Sequence, residues 1–279
     1  MEKTLEIENK NTEEKYNRLK ADLKSMGSVL VAFSGGVDST FLLKVASDEL
    51  RDKVIAVTAR SLSFPEREIK KAVEIAQILK VRHLIIESNE LKNPAYLKND
   101  LNRCYYCKTE LFEDLKRIAL KEGLNFILDG QNYDDIGDYR PGMKAAEEAG
   151  VRSPLKESCM TKNDIRKLSK QLGLPNWDSP SFACLSSRIP YGTGIDRDIL
   201  AKIDVLENFL LNLGFTQVRV RHHEKIARIE IPEEEMNKLN ISDIRMQIIN
   251  EFKNQGYLYI TLDLEGYKTG SMNKVLNKK

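Results

Sequence analysis

Four short apolar runs in the first half of the chain restrict its fold more than any other sequence feature. They occupy residues 28–33, 54–58, 83–87 and 125–129. Between them lie segments whose apolar residues repeat at helical spacing, as over residues 69–79 and 111–119. Apolar strands that alternate with helices are typical of a parallel sheet covered on both faces. We therefore predict an α/β fold with a doubly wound parallel sheet, which binds ligands at the carboxyl ends of its strands.

The pattern changes near residue 174, after a helix that begins with a capping sequence at residues 161–164. Residues 174–180 are predicted to form a linker, and an amphipathic helix follows over residues 199–213. Two alternating runs predict a hairpin, and one more helix and strand complete a small α+β unit. These last elements are predicted at residues 216–221, 225–231, 241–252 and 257–264. We therefore predict two domains, residues 1–178 and residues 179–279.

Composition narrows the class of protein. The 279 residues are 41% hydrophobic, which is enough to build cores and excludes disorder along the whole chain. Forty-four Lys and Arg against 42 Asp and Glu leave a net charge of +2, without the basic excess of a dedicated nucleic-acid binder. Because no run of about 18 apolar residues occurs, we expect neither a signal peptide nor a membrane span, and we expect a cytoplasmic protein. Four cysteines are too few for a disulfide framework.

A glycine loop, Ser-Gly-Gly-Val-Asp-Ser at residues 34–39, follows the first predicted strand and precedes a predicted helix. Its two glycines let a ligand approach the backbone, and its serine hydroxyls and the first helical amides would bind an anion. The loop has neither the lysine of a Walker A motif nor the spacing of a dinucleotide fold. Asp38 would repel a phosphate unless a cation bridges the two groups, so we assign Asp38 to Mg²⁺. The alternative is a glycine-rich turn with a polar helix cap.

Three cysteines form a candidate metal-binding set. Cys104 and Cys107 come just before a helix predicted over residues 108–122, where the first amides would favour thiolates. Together with Cys184 they suit a [4Fe-4S] cluster in which one iron stays open to another ligand. Two alternatives remain open, which are a zinc site completed by a histidine such as His222 and a redox pair within the CxxC motif.

The glycine loop resembles the SGGxDS signature of the PP-loop, or N-type, ATP pyrophosphatases. That resemblance implies ATP binding, cleavage between the α- and β-phosphates, and adenylation of an acceptor oxygen. From about residue 28 to residue 272 the chain resembles the LarE family, the ATP-dependent sulfur transferases of nickel-pincer nucleotide synthesis. The family implies that both carboxylates of a pyridinium-3,5-biscarboxylic acid mononucleotide are adenylated and converted to thiocarboxylates. The further segments that carry this resemblance are residues 130–135, 138–142, 184–192, 218–222, 227–230 and 266–272.

The LarE resemblance also implies roles for individual residues. Cys184 matches the cysteine whose sulfur the best-known members give up, leaving dehydroalanine. Cys104 and Cys107 match a subgroup in which three cysteines hold a [4Fe-4S] cluster that delivers a sulfide from its open iron, and we favour this subgroup. Arg188 and Asp38 are predicted to act with Cys184 as catalytic residues. ATP contacts are predicted at Ala32, Ser34, Gly35, Gly36, Asp38, Ser39, Thr58 and Gly130.

Two arginines are candidates for holding the substrate. Arg219 and Arg221 alternate along a predicted strand, so their side chains share one face. Paired guanidinium groups suit a phosphate, and the resemblance places the phosphate of the substrate there, with help from Arg188. The alternative is a solvated strand face with a cross-strand partner such as Glu230. Glu207 and Glu230 are predicted to be ordinary surface or hairpin charges.

Polar residues after the fourth predicted strand form another candidate region. Asp135, Asp138 and Arg140 are candidates for contacting Mg²⁺, the adenylate or the cluster loop, and a plain polar turn is the alternative. We expect His83 only to begin a strand, and we expect Cys159 to be a partly buried bystander.

The implied cofactors are ATP, Mg²⁺ and a [4Fe-4S] cluster. The implied partners are the pyridinium nucleotide, a sulfur or sulfide donor, and the nickel-inserting and carboxylase proteins of the same pathway. The resemblance also implies a homo-oligomer such as a hexamer. Alternative functions are a [4Fe-4S]-dependent tRNA thiolase, a single-turnover enzyme that sacrifices Cys184, and a sensor that binds ATP without turnover. The near-neutral charge and the lack of further CxxC pairs disfavour a tRNA substrate.

Overall fold

A computed structural model of the protein describes residues 2–136, 141–180 and 182–268, with side chains from residue 11 onward. The chain divides into two compact units. Unit 1 comprises Met1–Ser61, Glu66–Glu90 and Asn102–Phe182, and unit 2 comprises Leu62–Pro65, Leu91–Leu101 and Ala183–Lys279. Each unit is described by itself below.

The helices and strands follow one another in an order that alternates in unit 1. In chain order they are α1 (Glu2–Met26), β1 (Val29–Ala32), α2 (Val37–Leu50), β2 (Val54–Arg60), α3 (Glu66–Ile78), β3 (Arg82–Glu87), α4 (Pro94–Leu97), α5 (Arg103–Glu122), β4 (Phe126–Leu128), α6 (Pro141–Glu148), α7 (Pro154–Glu157), α8 (Lys162–Gln171), α9 (Arg197–Asn212), β5 (Arg219–His223), β6 (Ile226–Glu230), α10 (Ser242–Asn254) and β7 (Tyr259–Leu262). None of the helices in the described part of the chain is long and apolar enough to cross a membrane.

The sheet of unit 1 has the strand order β3-β2-β1-β4, and each neighbouring pair is parallel. Val29 and Val31 belong to one buried cluster with Phe41 of α2, whereas Leu30 belongs to a second cluster with Phe112 of α5. Successive residues of a strand point to opposite faces, so helices cover both faces of this sheet. The predicted α/β class with a parallel sheet is confirmed.

Unit 2 contains a smaller mixed sheet of order β5-β6-β7. Strands β5 and β6 form the predicted antiparallel hairpin, and β7 pairs with β6 in parallel. Residues of α9 and α10, such as Leu206 and Phe252, pack with Val220 and Ile229 of the sheet in one buried cluster. The first run of the hairpin was predicted from residue 216, but β5 begins at Arg219.

Two predicted boundaries are wrong. Residues 174–180 are not a free linker, because Leu174 is buried in a core cluster of unit 1 and Asn176 is 8% exposed. The helix predicted from residue 108 begins at Arg103, so the CxxC motif lies within α5 rather than before it. Both differences concern polar or short segments whose hydrophobic pattern is weak.

Candidate active site

The glycine loop, residues 34–39, connects β1 to α2 and is closed by its own hydroxyl groups. The backbone amide of Ser34 donates to Ser39 Oγ at 3.3 Å, and Ser39 Oγ donates to the carbonyl of Gly36 at 3.1 Å. Gly35 has φ +73°, and a Cβ there would lie 3.0 Å from the Cα of Ala72. Only glycine fits this position without strain. The loop therefore places a tight backbone turn directly at the amino end of a helix, where anions bind.

Two residues from other segments of unit 1 lie against this loop. Asn176 Nδ2 donates to the carbonyl of Gly35 at 2.8 Å and to Thr40 Oγ1 at 3.0 Å. Gly130 lies so close that a Cβ on it would meet the backbone nitrogen of Ser39 at 3.1 Å. Gly130 is one of the predicted ATP contacts, whereas Asn176 was not predicted, because a single asparagine in an apparent linker carries no periodic or motif signal.

Asp38 carries an ion pair that the sequence did not indicate. Lys162 Nζ, from the first residue of α8, lies 2.7 Å and 2.6 Å from the two carboxylate oxygens of Asp38. Burial raises the pKa of Asp38; Lys162 partly opposes this rise, and the charge of Asp135 adds to it. Carboxylates at Asp38 and Asp135, together with phosphate oxygens, are the donor set that Mg²⁺ prefers. The residues present therefore fit the predicted metal.

The segment after β4 lies beside the start of α8. Asn132 caps a short 3₁₀ helix, Tyr133–Asp135, and the backbone amide of Asn132 donates to Asp135 Oδ2 at 3.0 Å. The backbone amide of Lys162 donates to Asp134 Oδ2 at 2.8 Å. Asp135 is thus part of an ordered turn next to Asp38. The predicted contacts at Asp138 and Arg140 lie outside the described residues.

The other predicted ATP residues lie along β1 and β2. Ala32 ends β1, and Thr58 is buried in β2 with its hydroxyl 2.7 Å from both the carbonyl of Phe33 and Nε2 of His83. Burial lowers the pKa of His83, so the neutral ring is favoured. His83 therefore does more than begin a strand, because it forms a hydrogen bond with the Thr58 hydroxyl and packs edge-on against Phe33.

The cysteines are not joined in disulfides. Cys104 and Cys107 lie three residues apart at the start of α5, so they share one face of the helix, with Cys104 exposed. Cys184 belongs to unit 2 and caps the amino end of the 3₁₀ helix Leu185–Arg188. Among the residues that the structure describes, no three His, Cys, Asp or Glu side chains are grouped to hold a metal ion. His222, the candidate zinc ligand, is hydrogen-bonded to the Tyr257 hydroxyl at 2.9 Å.

Arg188 is a buried anchor for the backbone at Cys184. Its side chain is 0% exposed and forms a bidentate ion pair with Glu207, at 2.8 Å and 3.0 Å. Its Nη1 also donates to the carbonyls of Ala183 and Cys184. Glu207 completes the arrangement by accepting from the amide of Val220 at 3.1 Å. The structure thus gives Arg188 a positioning role for the Cys184 segment.

Arg219 and Arg221 are also buried, at 7% and 5% exposure, so this strand face is not solvated. The cross-strand partner that the alternative named, Glu230, is present. Arg221 pairs with Glu230 at 2.9 Å and 2.6 Å. Arg219 donates to the carbonyl of Val218 at 2.8 Å, and burial followed by the charge of Arg188 lowers its pKa.

We call these five residues, Arg188, Glu207, Arg219, Arg221 and Glu230, the charge cluster. The prediction that Glu207 and Glu230 are surface charges is wrong, since both are 0% exposed. Burial opposes the ionisation of Glu207, but the charge and hydrogen bonds of Arg188, with the charge of Arg219 and the amide of Val220, together keep the pKa of Glu207 below its usual range. Glu230 also pairs with Arg228 at 3.2 Å. Several guanidinium groups close together suit an anionic ligand.

Comparisons with known proteins agree with this geometry. Residues 28–102 match the model of the family described as queuosine biosynthesis protein QueC. The chain is 44% identical over 267 residues to an uncharacterized protein of Synechocystis sp., covering 95% of this chain and 99% of that protein. It is 41% identical over 261 residues to the pyridinium-3,5-bisthiocarboxylic acid mononucleotide synthase of Lactiplantibacillus plantarum, covering 93% and 94%. An uncharacterized protein of Methanocaldococcus jannaschii is 31% identical over 253 residues, covering 91% and 95%.

Proposed function

Because the chain belongs to the LarE family of pyridinium-3,5-bisthiocarboxylic acid mononucleotide synthases, we propose that it is an ATP-dependent sulfur transferase of nickel-pincer nucleotide synthesis. Its substrate would be the pyridinium-3,5-biscarboxylic acid mononucleotide. The observation that carries the proposal is the alignment with the Lactiplantibacillus plantarum enzyme, which covers 93% of the chain and includes residues of both units. The glycine loop at the amino end of α2 supports the binding of a nucleotide, and the arginines of the charge cluster support the binding of an anionic substrate.

The proposed first step activates a carboxylate. A carboxylate oxygen of the substrate forms a bond to the α-phosphorus of ATP, and the bond from that phosphorus to the bridging oxygen breaks. Pyrophosphate leaves with the electron pair, and the acyl adenylate then carries AMP as a good leaving group. Asp38 would hold Mg²⁺, which would neutralise the phosphates. The residues proposed to bind ATP are Ala32, Ser34, Gly35, Gly36, Asp38, Ser39, Thr58 and Gly130.

The proposed second step transfers sulfur. A sulfur nucleophile attacks the carboxyl carbon, and AMP departs with the electrons of the carbon–oxygen bond. Cys184 is the proposed catalytic cysteine, either as a ligand of the sulfur-delivering cluster proposed below or, in the alternative, as the sulfur nucleophile itself, and Arg188 would hold its backbone in place. Arg219 and Arg221 would bind the phosphate of the substrate. We propose that residues 1–178 carry out activation and that residues 179–279 bind the substrate and transfer sulfur.

For the sulfur source we propose a [4Fe-4S] cluster held by Cys104, Cys107 and Cys184. Such a cluster would supply a sulfide on its open iron and so allow repeated turnover. The placement of Cys104 and Cys107 on one helical face and the thiol state of the cysteines support this choice. The alternative is the sacrifice of Cys184, which would limit each chain to a single sulfur atom. The further proposed partners are a sulfide donor, the nickel-inserting and carboxylase proteins of the pathway, and other copies of the chain in a homo-oligomer.

Anaerobic isolation distinguishes these two sulfur sources. The cluster predicts about four iron atoms per chain and, with added sulfide, more than one product per chain. Cys104→Ser and Cys107→Ser should lose iron and turnover, whereas the matched variant Cys159→Ser should keep both. Transfer of one sulfur atom per chain, with dehydroalanine at Cys184 and no iron, would replace the cluster by the sacrificial mechanism.

Substrate binding has a separate test. Arg219→Ala should raise KM for the pyridinium nucleotide about tenfold, because a charge-assisted hydrogen bond to phosphate is lost, and ATP binding should not change. Arg197→Ala, at an exposed position of α9, is the matched control. An unchanged KM in Arg219→Ala would remove this assignment.

A further inference from the structure

A short segment between β3 and α5, residues 91–101, belongs to unit 2, although the residues on either side of it belong to unit 1. It contains α4, which begins at Pro94, where a helix needs no backbone donor. The preceding Asn93 caps this helix by accepting a hydrogen bond from the amide of Ala95 at 3.0 Å. The segment is hydrogen-bonded to residues 186–195, the stretch that follows Cys184.

Asn99 makes several of these hydrogen bonds. Its side chain is fully buried, and its Nδ2 donates to the carbonyls of Pro190 and Thr193, each at 2.8 Å. Its own carbonyl accepts from the amide of Gly192 at 3.0 Å. Asn99 has φ +52°, in the left-handed region that asparagine adopts more readily than most residues. An asparagine here therefore suits the local backbone and also binds the stretch after Cys184 with its side chain.

Tyr96 contacts the same stretch only two residues after Cys184. The hydroxyl of Tyr96 lies 2.6 Å from Ser186 Oγ, and both side chains are buried. Next to Ser186, the amide of Leu185 donates to the carbonyl of Ser63 at 2.7 Å. Leaving either hydroxyl unpaired in this buried position would cost free energy, so the bond keeps Ser186 at a fixed place relative to α4.

The turn at Cys184 thus has two separate supports within unit 2. Arg188 donates to the carbonyl of Cys184 and ties the turn to α9 through Glu207. Tyr96 and Asn99 tie the same turn and the residues after it to the segment at 91–101. A reactive group that is held from two sides keeps its position without help from the substrate.

We propose that Tyr96 and Asn99 are positioning residues for Cys184 in the sulfur-transfer step. Cys184 determines where the sulfur lies in both of the sulfur sources proposed above. Transfer needs that sulfur close to the carboxyl carbon of the adenylate, and a displacement of about 1 Å can slow such a step on the order of 100-fold. Adenylation involves no sulfur, so it does not depend on these contacts. This inference rests on the proposed sulfur-transferase function.

Single-turnover kinetics separates the two steps. Anaerobic protein, in excess over the mononucleotide, is mixed with Mg²⁺–ATP and sulfide, and pyrophosphate and thiocarboxylate are followed over time. Tyr96→Phe removes only a hydroxyl; it should slow thiocarboxylate formation about five- to tenfold and change pyrophosphate formation less than about twofold. Tyr257→Phe is the matched control, because the Tyr257 hydroxyl is also hydrogen-bonded inside unit 2, to His222 at 2.9 Å. It should leave both rates unchanged.

Two further variants test the contacts themselves. Ser186→Ala removes the other half of the Tyr96 bond, so the double variant should be no slower in sulfur transfer than Ser186→Ala alone. Asn99→Gly permits the same φ but removes the side-chain amide. It should slow thiocarboxylate formation as Tyr96→Phe does. Hydrogen exchange at the amides of Gly192 and Ile195, which donate to the carbonyls of Asn99 and Leu97, should become about tenfold faster.

The ratio of the two rates separates positioning from a general loss of structure. Equal slowing of pyrophosphate and thiocarboxylate formation in Tyr96→Phe would overturn the proposal, as would unchanged sulfur transfer in either Tyr96→Phe or Asn99→Gly. A Tyr257→Phe variant that transfers sulfur as slowly as Tyr96→Phe would also overturn it. If the unaltered protein forms no pyrophosphate from the mononucleotide, the proposed function fails, and this inference fails with it. If the unaltered protein forms both products and only the variants depart from expectation, the proposed function stands.

Discussion

The glycine loop of unit 1 and the charge cluster of unit 2 both suit an anion, but they are built from different groups. The loop relies on backbone conformation, a helix start and one partly exposed ion pair, between Asp38 and Lys162. The charge cluster relies on buried side chains, and both Arg188 and Glu207 are fully inaccessible to solvent. Backbone sites need glycine at defined positions, whereas buried charges need their partners. Substitutions in the glycine loop should therefore act mainly on binding, whereas removing a carboxylate of the charge cluster should lower stability.

The largest change, in the free energy of unfolding, is expected for the buried charges. Glu207→Ala leaves Arg188 without its bidentate partner in a fully buried position, so the free energy of unfolding should fall by about 3–5 kcal/mol. Urea unfolding measures this change. Asp48→Asn, which breaks the exposed pair on α2, should cost about 0.5 kcal/mol or less. Equal effects of the two variants would show that burial does not make the Arg188–Glu207 pair more important for stability than a surface pair.

The next largest change, in affinity for Mg²⁺–ATP, is expected for the backbone of the glycine loop. Gly35→Ala combines a positive φ with a Cβ only 3.0 Å from Ala72, a strain of about 2–4 kcal/mol that the loop relieves by moving. Affinity for Mg²⁺–ATP should therefore fall about 30-fold or more in a calorimetric titration. Gly123→Ala is the control, because Gly123 has φ +66° but nothing within 4 Å of the added Cβ. Normal nucleotide binding by Gly35→Ala would contradict the proposed site.

The third effect shows that unit 1 also contains a stabilising carboxylate, away from its loop. Burial opposes ionisation of Asp164, but hydrogen bonds from Lys15, Thr12 and Thr161 lower its pKa from 3.8 to about 2. The resulting stability, about 2 kcal/mol, is present above the unfolded pKa and is lost as the pH falls toward about 2. Asp164→Asn should therefore destabilise the protein at pH 7, and this difference should shrink below about pH 4. A difference that does not depend on pH would contradict this assignment.

The smallest change is expected for Asn176, which hydrogen-bonds the glycine loop. Asn176→Ala removes two hydrogen bonds, to Gly35 and Thr40, and should weaken Mg²⁺–ATP binding about fivefold. Asn125→Ala is matched, because Asn125 Nδ2 donates to the carbonyl of Met26 at 3.0 Å, before the first strand. It should lower stability by a similar amount and leave ATP affinity unchanged. Identical ATP affinities in the two variants would show that Asn176 does not shape the loop.

The elements with strong patterns were predictable from the sequence. Continuous apolar runs predicted the parallel strands, and the glycine loop was identified by its position between a strand and a helix. The hairpin of unit 2 also follows from alternation, although its first strand begins three residues later than expected. In each case the chemistry that decides the structure is local, because hydrophobic spacing and glycine content act within one element.

The contacts between distant residues were not predictable. Lys162 reaches Asp38 across 124 positions of sequence, and Asn176 reaches Gly35 across 141. Glu207 and Glu230 were predicted to be surface or hairpin charges, because nothing in a helix or hairpin pattern indicates that an arginine will be buried beside them. Pairing of this kind depends on tertiary packing, and a single sequence contains no local signal for it.

In the proposed reaction, ATP activates the substrate by adenylation before sulfur is transferred. The most direct measurement supplies the anaerobic protein with Mg²⁺–ATP, sulfide and the pyridinium-3,5-biscarboxylic acid mononucleotide, and identifies all products by mass spectrometry. We expect AMP and pyrophosphate in equal amounts, formed only when the mononucleotide is present, together with a product in which sulfur replaces carboxylate oxygen. Release of ADP and phosphate, or formation of AMP without the mononucleotide, would show that the protein does not adenylate this substrate.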